Sequence, residues 1–287
     1  MGLKYKMRKI IISILIIVLF FSFFNLGEKQ AENKNATYIP ILMYHSFDEK
    51  PSLPGINTTP KLFKEHLTLL KNNGWTTITT DQLVMFLQGD IDLPENSFMI
   101  TIDDGYESVY DNAFPILKEL NMNATLFVIT SHIESGERFH SRMSNWRQLK
   151  EMSASGYIEI GNHTHDLHWR GNGNTKGFEA MITNMTKQGK KISNTTRENI
   201  IVNDLTLAHK LITKNIGKEP KTFAYPYGSF DEVSERAVRE AGYEISFSII
   251  EDMNYPGENS ERIKRYGTNS YVSAESVLKK VTLNKKK

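Results

Sequence analysis

Ser97-Phe-Met-Ile-Thr-Ile-Asp103-Asp104-Gly105 is the stretch of sequence that decides the fold class. Residues 97–102 are mostly apolar or β-branched and predict a buried strand, after which two carboxylates and a glycine follow at once. Polar residues directly after a buried strand are typical of parallel α/β folds, where catalytic groups gather in the loops that follow strands. An aspartate at this place can also cap a helix, so this stretch alone leaves catalysis and capping equally open.

Outward from this strand, short strand-like runs alternate with helical patterns. About eight strands predict a parallel sheet or barrel in a single domain over residues 39–283. We expect a kink at Pro115, a helix capped by Ser144, and one or two helices within residues 178–216, the second from Asn203. The predicted strands are 39–44, 75–79, 97–102, 124–129, 157–160, 222–225, 244–249 and one final strand, and the clearest helices begin near residues 60, 107, 144 and 231.

The N-terminal residues 1–27 differ from the rest of the chain. Four basic residues precede residues 10–27, which are 18 uncharged and mostly apolar residues, enough to cross a bilayer as a helix. The basic side predicts a cytoplasmic start with the remainder outside the cell. We expect an uncleaved membrane anchor, a linker over 28–38 and a basic tail over 284–287. A cleaved signal peptide, which would give a secreted protein, is the alternative.

Composition excludes several classes of protein. The chain has 287 residues, a formal charge of +2 and no cysteine. The near-zero charge argues against a basic nucleic-acid binder. The absence of cysteine excludes thiol catalysis, iron–sulfur clusters and cysteine-ligated zinc. Any metal in this protein must therefore bind histidine, aspartate or glutamate.

A histidine-rich loop follows the strand predicted at 157–160. Three of the eight histidines, His163, His165 and His168, lie within six residues. Neutral imidazole is a common metal ligand, and a loop can bring His163 and His168 onto one ion while Leu167 points into the core. A lone histidine is usually structural, whereas three after a strand favour metal binding.

Two further strand ends carry candidate residues. Tyr225-Pro226-Tyr227-Gly228 could wall a sugar site with flat apolar surface and offer a backbone N–H to an oxyanion, or it could be an ordinary turn. His45 follows another strand and by itself favours a structural role. Together, the four strand ends predict a hydrolase with one aspartate and two histidines on a metal, a second aspartate as base and a histidine as acid.

Three of these motifs resemble, in this order, the first three motifs of the polysaccharide deacetylases, carbohydrate esterase family 4, also called the NodB-homology domain. They are residues 101–105, the loop 163–168 and residues 225–228. The resemblance implies a distorted (β/α) barrel of about seven to eight parallel strands that removes acetyl groups from N-acetylglucosamine-type sugars, usually with zinc. Carried over residue by residue, it makes Asp103 the catalytic base, Asp104, His163 and His168 the metal ligands, and the Tyr227 backbone N–H an oxyanion donor.

The sequence departs from the common family pattern at three points. His163 and His168 are five residues apart instead of four, Ala224 stands where an arginine is usual, and no histidine follows His209. All three departures resemble the branch that deacetylates poly-N-acetylglucosamine exopolysaccharide, whose barrel is circularly permuted. That branch takes its acid from an early Tyr-His strand end, which here is His45. Arg265, near a late strand, is a candidate for the group that orients Asp103.

The sequence thus predicts a metal-dependent hydrolase of N-acetyl groups on an extracellular polysaccharide, with zinc as the expected metal. Poly-N-acetylglucosamine is the expected substrate, and peptidoglycan or chitin-type oligomers are the alternatives. An anchored carbohydrate-binding module with an inactive site is the hypothesis from another class. The expected partners are a glycan, bound through Tyr225, Pro226 and Tyr227, and the membrane, with no nucleic acid and a monomeric chain.

Overall fold

The structure, a computed structural model, describes residues 35–50, 53–138 and 141–283. The predicted anchor and basic tail lie outside these residues. Within the described part of the chain, no helix combines the length and apolar character that a membrane span requires.

Parallel strands form one curled sheet in the order β10-β1-β3-β4-β7-β8-β9, with β2 paired to the start of β3. This confirms the predicted α/β class and its parallel strands. A separate two-stranded hairpin, β5–β6, lies outside the sheet. The strands are β1 (Ile41–Tyr44), β2 (Thr76–Thr77), β3 (Ser97–Ile102), β4 (Ala124–Val128), β5 (Glu137–Arg138), β6 (Ser141–Arg142), β7 (Ile158–Asn162), β8 (Thr222–Ala224), β9 (Ile245–Phe247) and β10 (Tyr266–Gly267).

The sheet curls because one late segment bonds to both of its edges. Ile263 forms a parallel bridge with Phe247 of β9, and three residues later Tyr266 pairs with Leu42 of β1. The first strand of the chain thereby lies between the last strand and β3. The residues just before β10 therefore lie at the same end of the sheet as the residues that follow β1 and β3, although they are far apart in sequence.

Helices alternate with the strands, as the sequence pattern predicts. The first-turn residue Pro60 and the Thr59 cap begin α1, and capping boxes begin α2, α5 and α8. The helices are α1 (Pro60–Asn72), α2 (Thr80–Gln88), α3 (Phe114–Leu120), α4 (Thr130–Ser135), α5 (Trp146–Ala154), α6 (Gly171–Asn174), α7 (Asn194–Ile216), α8 (Glu232–Glu240) and α9 (Ala274–Thr282).

The structure corrects one local prediction and settles two others. Asn145, not Ser144, caps α5, because the Ser144 hydroxyl donates to the Tyr106 carbonyl instead. Residues 178–216 contain one 23-residue helix, α7, which is the single-helix alternative. The helix that begins at residue 107 continues to Leu120, and its bonding is irregular where the kink was expected, because a π-helical turn over Val109–Ala113 lies directly before Pro115.

The interior of the curled sheet is a core of its own. Inward side chains of β1, β3, β4 and β9 meet there, and α2 covers the amino ends of the strands with Leu83, Phe86 and Leu87. Gly161 of β7 lies opposite Phe127 of β4, where an added Cβ would come within 2.6 Å of the phenyl ring. The missing side chain therefore makes room for the ring that fills the interior. The polar residues that follow the strands stand above this apolar base.

Candidate active site

The carboxyl ends of β1, β3, β7 and β8 converge on one place. Residue 45 follows β1, residues 103–104 follow β3, residues 163–168 follow β7 and residues 225–228 follow β8. β1 pairs directly with β3, and β4 joins β3 to β7, which in turn pairs with β8. The sheet thus brings together all four groups that the sequence singled out.

Asp104, His163 and His168 form a compact set of possible metal ligands. Asp104 Oδ1 lies 3.7 Å from His163 Nε2 and 3.4 Å from His168 Nε2. One ligand atom from each residue falls within 4.8 Å of the others, and all three side chains are largely withdrawn from solvent. One carboxylate and two imidazoles suit a divalent ion of the first transition row. These are the three residues predicted as ligands.

A hydrogen bond to the backbone holds His163 in the tautomer that can bind a metal. Its Nδ1 lies 2.7 Å from the Ala224 carbonyl, which requires the proton on Nδ1 and leaves the lone pair of Nε2 facing Asp104. Burial lowers the pKa of His163, against the opposing effect of Asp103 and Asp104. The imidazole is therefore held neutral, as metal binding requires.

Asp104 adopts a left-handed backbone with φ of 77°. This conformation is costly for a residue with a side chain and is found where surrounding structure imposes it, often at functional sites. Gly105 follows with φ of 89°, and an added Cβ there would touch Val128 at 3.1 Å. The sharp turn expected at Gly105 is thus present, and it turns the carboxylates of Asp103 and Asp104 toward different partners.

Asp103 pairs with Arg265 in a buried ion pair. Arg265 Nη1 and Nη2 donate to the two carboxylate oxygens at 2.8 and 3.0 Å, and Asp103 is only 2% exposed. Arg265 has no exposed surface and also donates to Ser248 and Thr101. Arg265 lies two residues after Ile263, which bridges to β9. Its guanidinium contacts Asp103, although Ala224 stands where an arginine is usual. The candidate named from sequence therefore contacts Asp103.

The ion pair decides the charge of Asp103. Burial alone would raise the pKa of this carboxyl, but the positive charge of Arg265, with smaller effects of His163 and His45, holds the pKa below its ordinary value. Asp103 is thus ionised at neutral pH, and its two carboxylate oxygens accept from Arg265 instead of capping a helix. An ionised carboxylate beside a metal-ligand set can accept a proton.

His45 lies beside this pair at the end of β1. It is close enough to Asp103 for its charge to lower the pKa of that carboxyl. Within the described residues, its Nδ1 makes no hydrogen bond. The adjoining Tyr44 is buried and its hydroxyl lies 3.1 Å from His66 Nδ1, which fixes the strand end that carries His45.

The turn after β8 places Tyr227 against the metal-ligand set. Its ring lies 4.3 Å from the His168 ring on one side and 3.9 Å from the Arg170 guanidinium carbon on the other. The Tyr227 backbone is left-handed, with φ of 58°, and Gly228 packs so closely on Ile249 that a Cβ would meet it at 2.3 Å. The turn is thus rigidly held and is not an ordinary exposed Pro-Gly turn.

The structure corrects one part of the predicted sugar surface. Tyr225 is 2% exposed, and its ring packs on Phe223 and Phe230 in the core between β8, α7 and α8. Pro226 is buried as well. Their side chains therefore stabilise the turn and present no surface to a glycan, whereas Tyr227 remains partly exposed at the site.

Sequence reasoning missed two residues that shape the site. Arg170 stacks on Tyr227 and is held by the buried carboxylate of Glu179 at 3.0 Å. Asp204, on α7, accepts the backbone N–H groups of His165 and Asp166 in the histidine loop. Asp204 lies along the buried stripe of α7 that includes Ile201, Leu205 and Ala208, and an acid on an apolar stripe is the signal that could have revealed it.

Comparison with known proteins agrees with this geometry. A sequence model of polysaccharide deacetylases matches residues 90–246. A relative, the poly-beta-1,6-N-acetyl-D-glucosamine N-deacetylase of Staphylococcus aureus (strain MSSA476), is 30% identical over 233 residues, which cover 81% of this chain and 74% of that protein. The chain belongs to the polysaccharide deacetylase family. His45 and Arg265 lie outside the residues that the family model matches.

Solved structures of family members have the same fold. A de-N-acetylase from Aggregatibacter actinomycetemcomitans superposes with a TM-score of 0.75 at 26% identity, covering 85% of this chain and 99% of that one. IcaB from Ammonifex degensii gives a TM-score of 0.70 at 26% identity, covering 85% and 96%. The resemblance stated from three sequence motifs is thereby confirmed, and this polysaccharide deacetylase is a hydrolase.

Proposed function

We propose that this polysaccharide deacetylase removes N-acetyl groups from poly-β-1,6-N-acetylglucosamine outside the cell. The relative from Staphylococcus aureus carries that activity in its name, and two structural neighbours are a de-N-acetylase and IcaB. The reaction is hydrolysis of an acetamide, in which water and the substrate give acetate and a free amine.

A divalent metal, which we propose to be zinc, fits the set of Asp104, His163 and His168. The fit rests on the neutral His163, whose Nε2 faces Asp104 because its Nδ1 bonds to the Ala224 carbonyl. When bound, zinc would supply Lewis acidity that lowers the pKa of a water molecule and polarises the acetyl carbonyl.

The residues around this set divide the proton transfers between them. Asp103, held ionised by Arg265, would take the proton from the attacking water. The Tyr227 backbone N–H would donate to the oxyanion, since Tyr227 lies in a left-handed turn and its ring packs on His168. His45, on the opposite strand end, would protonate the leaving amine. Each role is assigned to a different strand end, so the transfers do not compete.

The single observation that carries the proposal is the buried Asp103–Arg265 pair next to the Asp-His-His set. With Ala224 where an arginine is usual, an inactive site would leave Asp103 without a countercharge, whereas here Arg265 supplies one. A carbohydrate-binding module has no need of an ionised carboxylate held beside possible metal ligands. The geometry therefore favours catalysis.

Acetate release by the full-length chain tests this function. Poly-N-acetylglucosamine, peptidoglycan and chitin oligomers are each incubated with the protein after zinc loading and after chelation. We expect zinc-dependent release of acetate from poly-N-acetylglucosamine. Release of acetate from peptidoglycan or chitin alone would identify a different substrate for the same reaction. Binding of a glycan without any release, at one equivalent of zinc, would instead establish a binding module.

We also propose that residues 1–27 anchor the enzyme in the cell membrane with the catalytic domain outside. The support is the charge order and length of residues 1–27. Membrane fractionation of cells that express the full chain, followed by protease treatment of intact cells, tests both parts. Recovery of the whole domain in the medium would show that the segment is cleaved.

A further inference from the structure

One carboxylate of α7, that of Asp204, holds the histidine loop, residues 163–168. Asp204 Oδ1 accepts the His165 backbone N–H at 2.7 Å, and Oδ2 accepts the Asp166 backbone N–H at 2.8 Å. Both oxygens are thus committed to consecutive amides of residues 163–168. These amides lie between the two proposed ligands, His163 and His168.

The five-residue spacing of the ligands creates the need for such an acceptor. After β7 the loop leaves the sheet ladder, and Thr164 turns it through a left-handed conformation with φ of 79°. The amides of His165 and Asp166 then have no strand or helix partner and require another acceptor. A single carboxylate with two oxygens satisfies both and fixes their relative orientation.

The opposite side of the loop is bonded to α4. Ser131 donates its backbone N–H and its hydroxyl to the His165 carbonyl, and Thr130 Oγ1 lies 2.8 Å from His165 Nδ1. Between these contacts and Asp204, residue 165 is held through its amide, its carbonyl and its ring. His165 itself is not among the three clustered ligand residues. His165 therefore helps to hold the loop in place.

We propose that Asp204 is a positioning residue for the metal site. By fixing the two amides between the ligands, it holds His163 and His168 at the separation at which both face Asp104. This inference rests on the proposed function, because it concerns the metal that the proposed reaction uses. It adds to that reaction a residue of α7, about forty positions after the loop in sequence.

Zinc affinity of the full-length chain tests the proposal directly. Asp204→Asn is nearly isosteric, but its amide NH2 would face a backbone donor, so one of the two bonds is lost. Competition with a chromophoric chelator should show zinc binding about 10- to 100-fold weaker than in the parent, as is typical when a supporting contact of a metal ligand is removed. The metal-free variant should unfold thermally at or above the temperature of the parent, because the buried charge is removed together with one hydrogen bond. The zinc concentration for half-maximal deacetylase activity should rise, while the turnover number at saturating zinc stays near that of the parent.

Asp166→Asn is the matched control within the same loop. It removes the same charge, but the Asp166 side chain is exposed and, among the described residues, pairs with Lys187, while its backbone N–H remains on Asp204. Its zinc affinity should equal that of the parent. Asp204→Ala, which removes the acceptor and the charge together, should weaken zinc binding at least as much as Asp204→Asn.

Three results would overturn the inference. Parental zinc affinity in folded Asp204→Asn and Asp204→Ala would show that the loop does not depend on the carboxylate. Failure of both variants to fold would show that Asp204 supports the whole domain and not the loop. Absence of zinc binding by the parent would refute the metal site itself, and with it the proposed reaction. Parental zinc binding without acetate release would refute the proposed reaction but leave Asp204 in its role at the metal site.

Discussion

Replacing Arg265 with methionine should both destabilise the enzyme and change the pH dependence of its activity. Methionine fills much of the volume of the arginine stem but removes the two donors to Asp103, at 2.8 and 3.0 Å. A carboxylate that is 2% exposed would then remain without its countercharge. Removing one partner of a buried ion pair costs about 3–5 kcal/mol of unfolding free energy.

The sign of the pH effect follows from the pKa of Asp103. In the parent, burial raises this pKa, but the charge and hydrogen bonds of Arg265 together with smaller effects of His163 and His45 outweigh burial, and the pKa lies below its ordinary value of 3.8. A lowered pKa contributes stability above the unfolded-state value and loses it as the pH falls through the folded-state value. Without Arg265, only the smaller effects of His163 and His45 oppose burial, and the pKa rises. The acid limb of kcat/KM should therefore move to higher pH, and the destabilisation should shrink as the pH is lowered.

A double-mutant cycle with Asp103→Asn isolates the ion pair. Urea unfolding of the metal-free chain, followed by tryptophan fluorescence, gives the free energies of the parent, both single variants and the double variant. The coupling energy should exceed about 1.5 kcal/mol, the lower end of values for close buried charge pairs. Arg239→Met, which breaks the exposed pair with Glu261, is the control and should cost less than about 1 kcal/mol. A coupling energy near zero, with an unmoved acid limb, would refute the assignment of Arg265.

Three further substitutions test the site and its support. Asp103→Asn should bind one equivalent of zinc but lose about 10²- to 10⁴-fold in kcat, the usual contribution of a general base; near-parental turnover would reject Asp103 as the base. His163→Ala should weaken zinc binding by more than the roughly 10- to 100-fold typical of a supporting contact, and unchanged stoichiometry and affinity by calorimetry would remove it from the ligand set. Gly161→Ala should cost about 1–3 kcal/mol in urea unfolding, because its Cβ would lie 2.6 Å from both Phe127 and Thr222; an unchanged midpoint would show that the interior can absorb a methyl group.

The sequence predicted those parts of the site that local patterns encode. Each of Asp103, Asp104, His163 and Tyr227 follows an apolar run, and parallel strands bring their carboxyl ends to one edge of the sheet. The bounds predicted for strand Ser97–Ile102 are correct. All six residues are buried, so the strand can be recognised from its own apolar run. The predicted ligand set meets in space for the same reason.

Contacts between distant residues could not be predicted in this way. Arg265 reaches Asp103 across 162 positions, and only the curling of the sheet brings them together. The sequence also left open whether residues 178–216 form one helix or two. In the structure, Arg197 lies buried on the first half of α7 and donates to Asp231 at 2.7 Å, so a tertiary ion pair extends the helix beyond its apolar pattern. Tyr225 was misassigned for the opposite reason, since an aromatic residue beside a site can face the core as readily as the substrate.

The energetics of Asp204 argue that the site, not the stability of the fold, accounts for this residue. Burial raises the pKa of its carboxyl from 3.8 to about 6, even though two backbone N–H groups lower it. The folded chain therefore binds this proton at higher pH than the unfolded chain does, so the carboxylate costs stability above about pH 6 and the cost disappears as the pH falls toward 4. At 1.36 kcal/mol per pKa unit, the cost at neutral pH is about 3 kcal/mol. An uncharged side chain would avoid that cost, but it would not offer two acceptor oxygens to the amides of His165 and Asp166. The carboxylate instead holds in place the loop that carries His163 and His168.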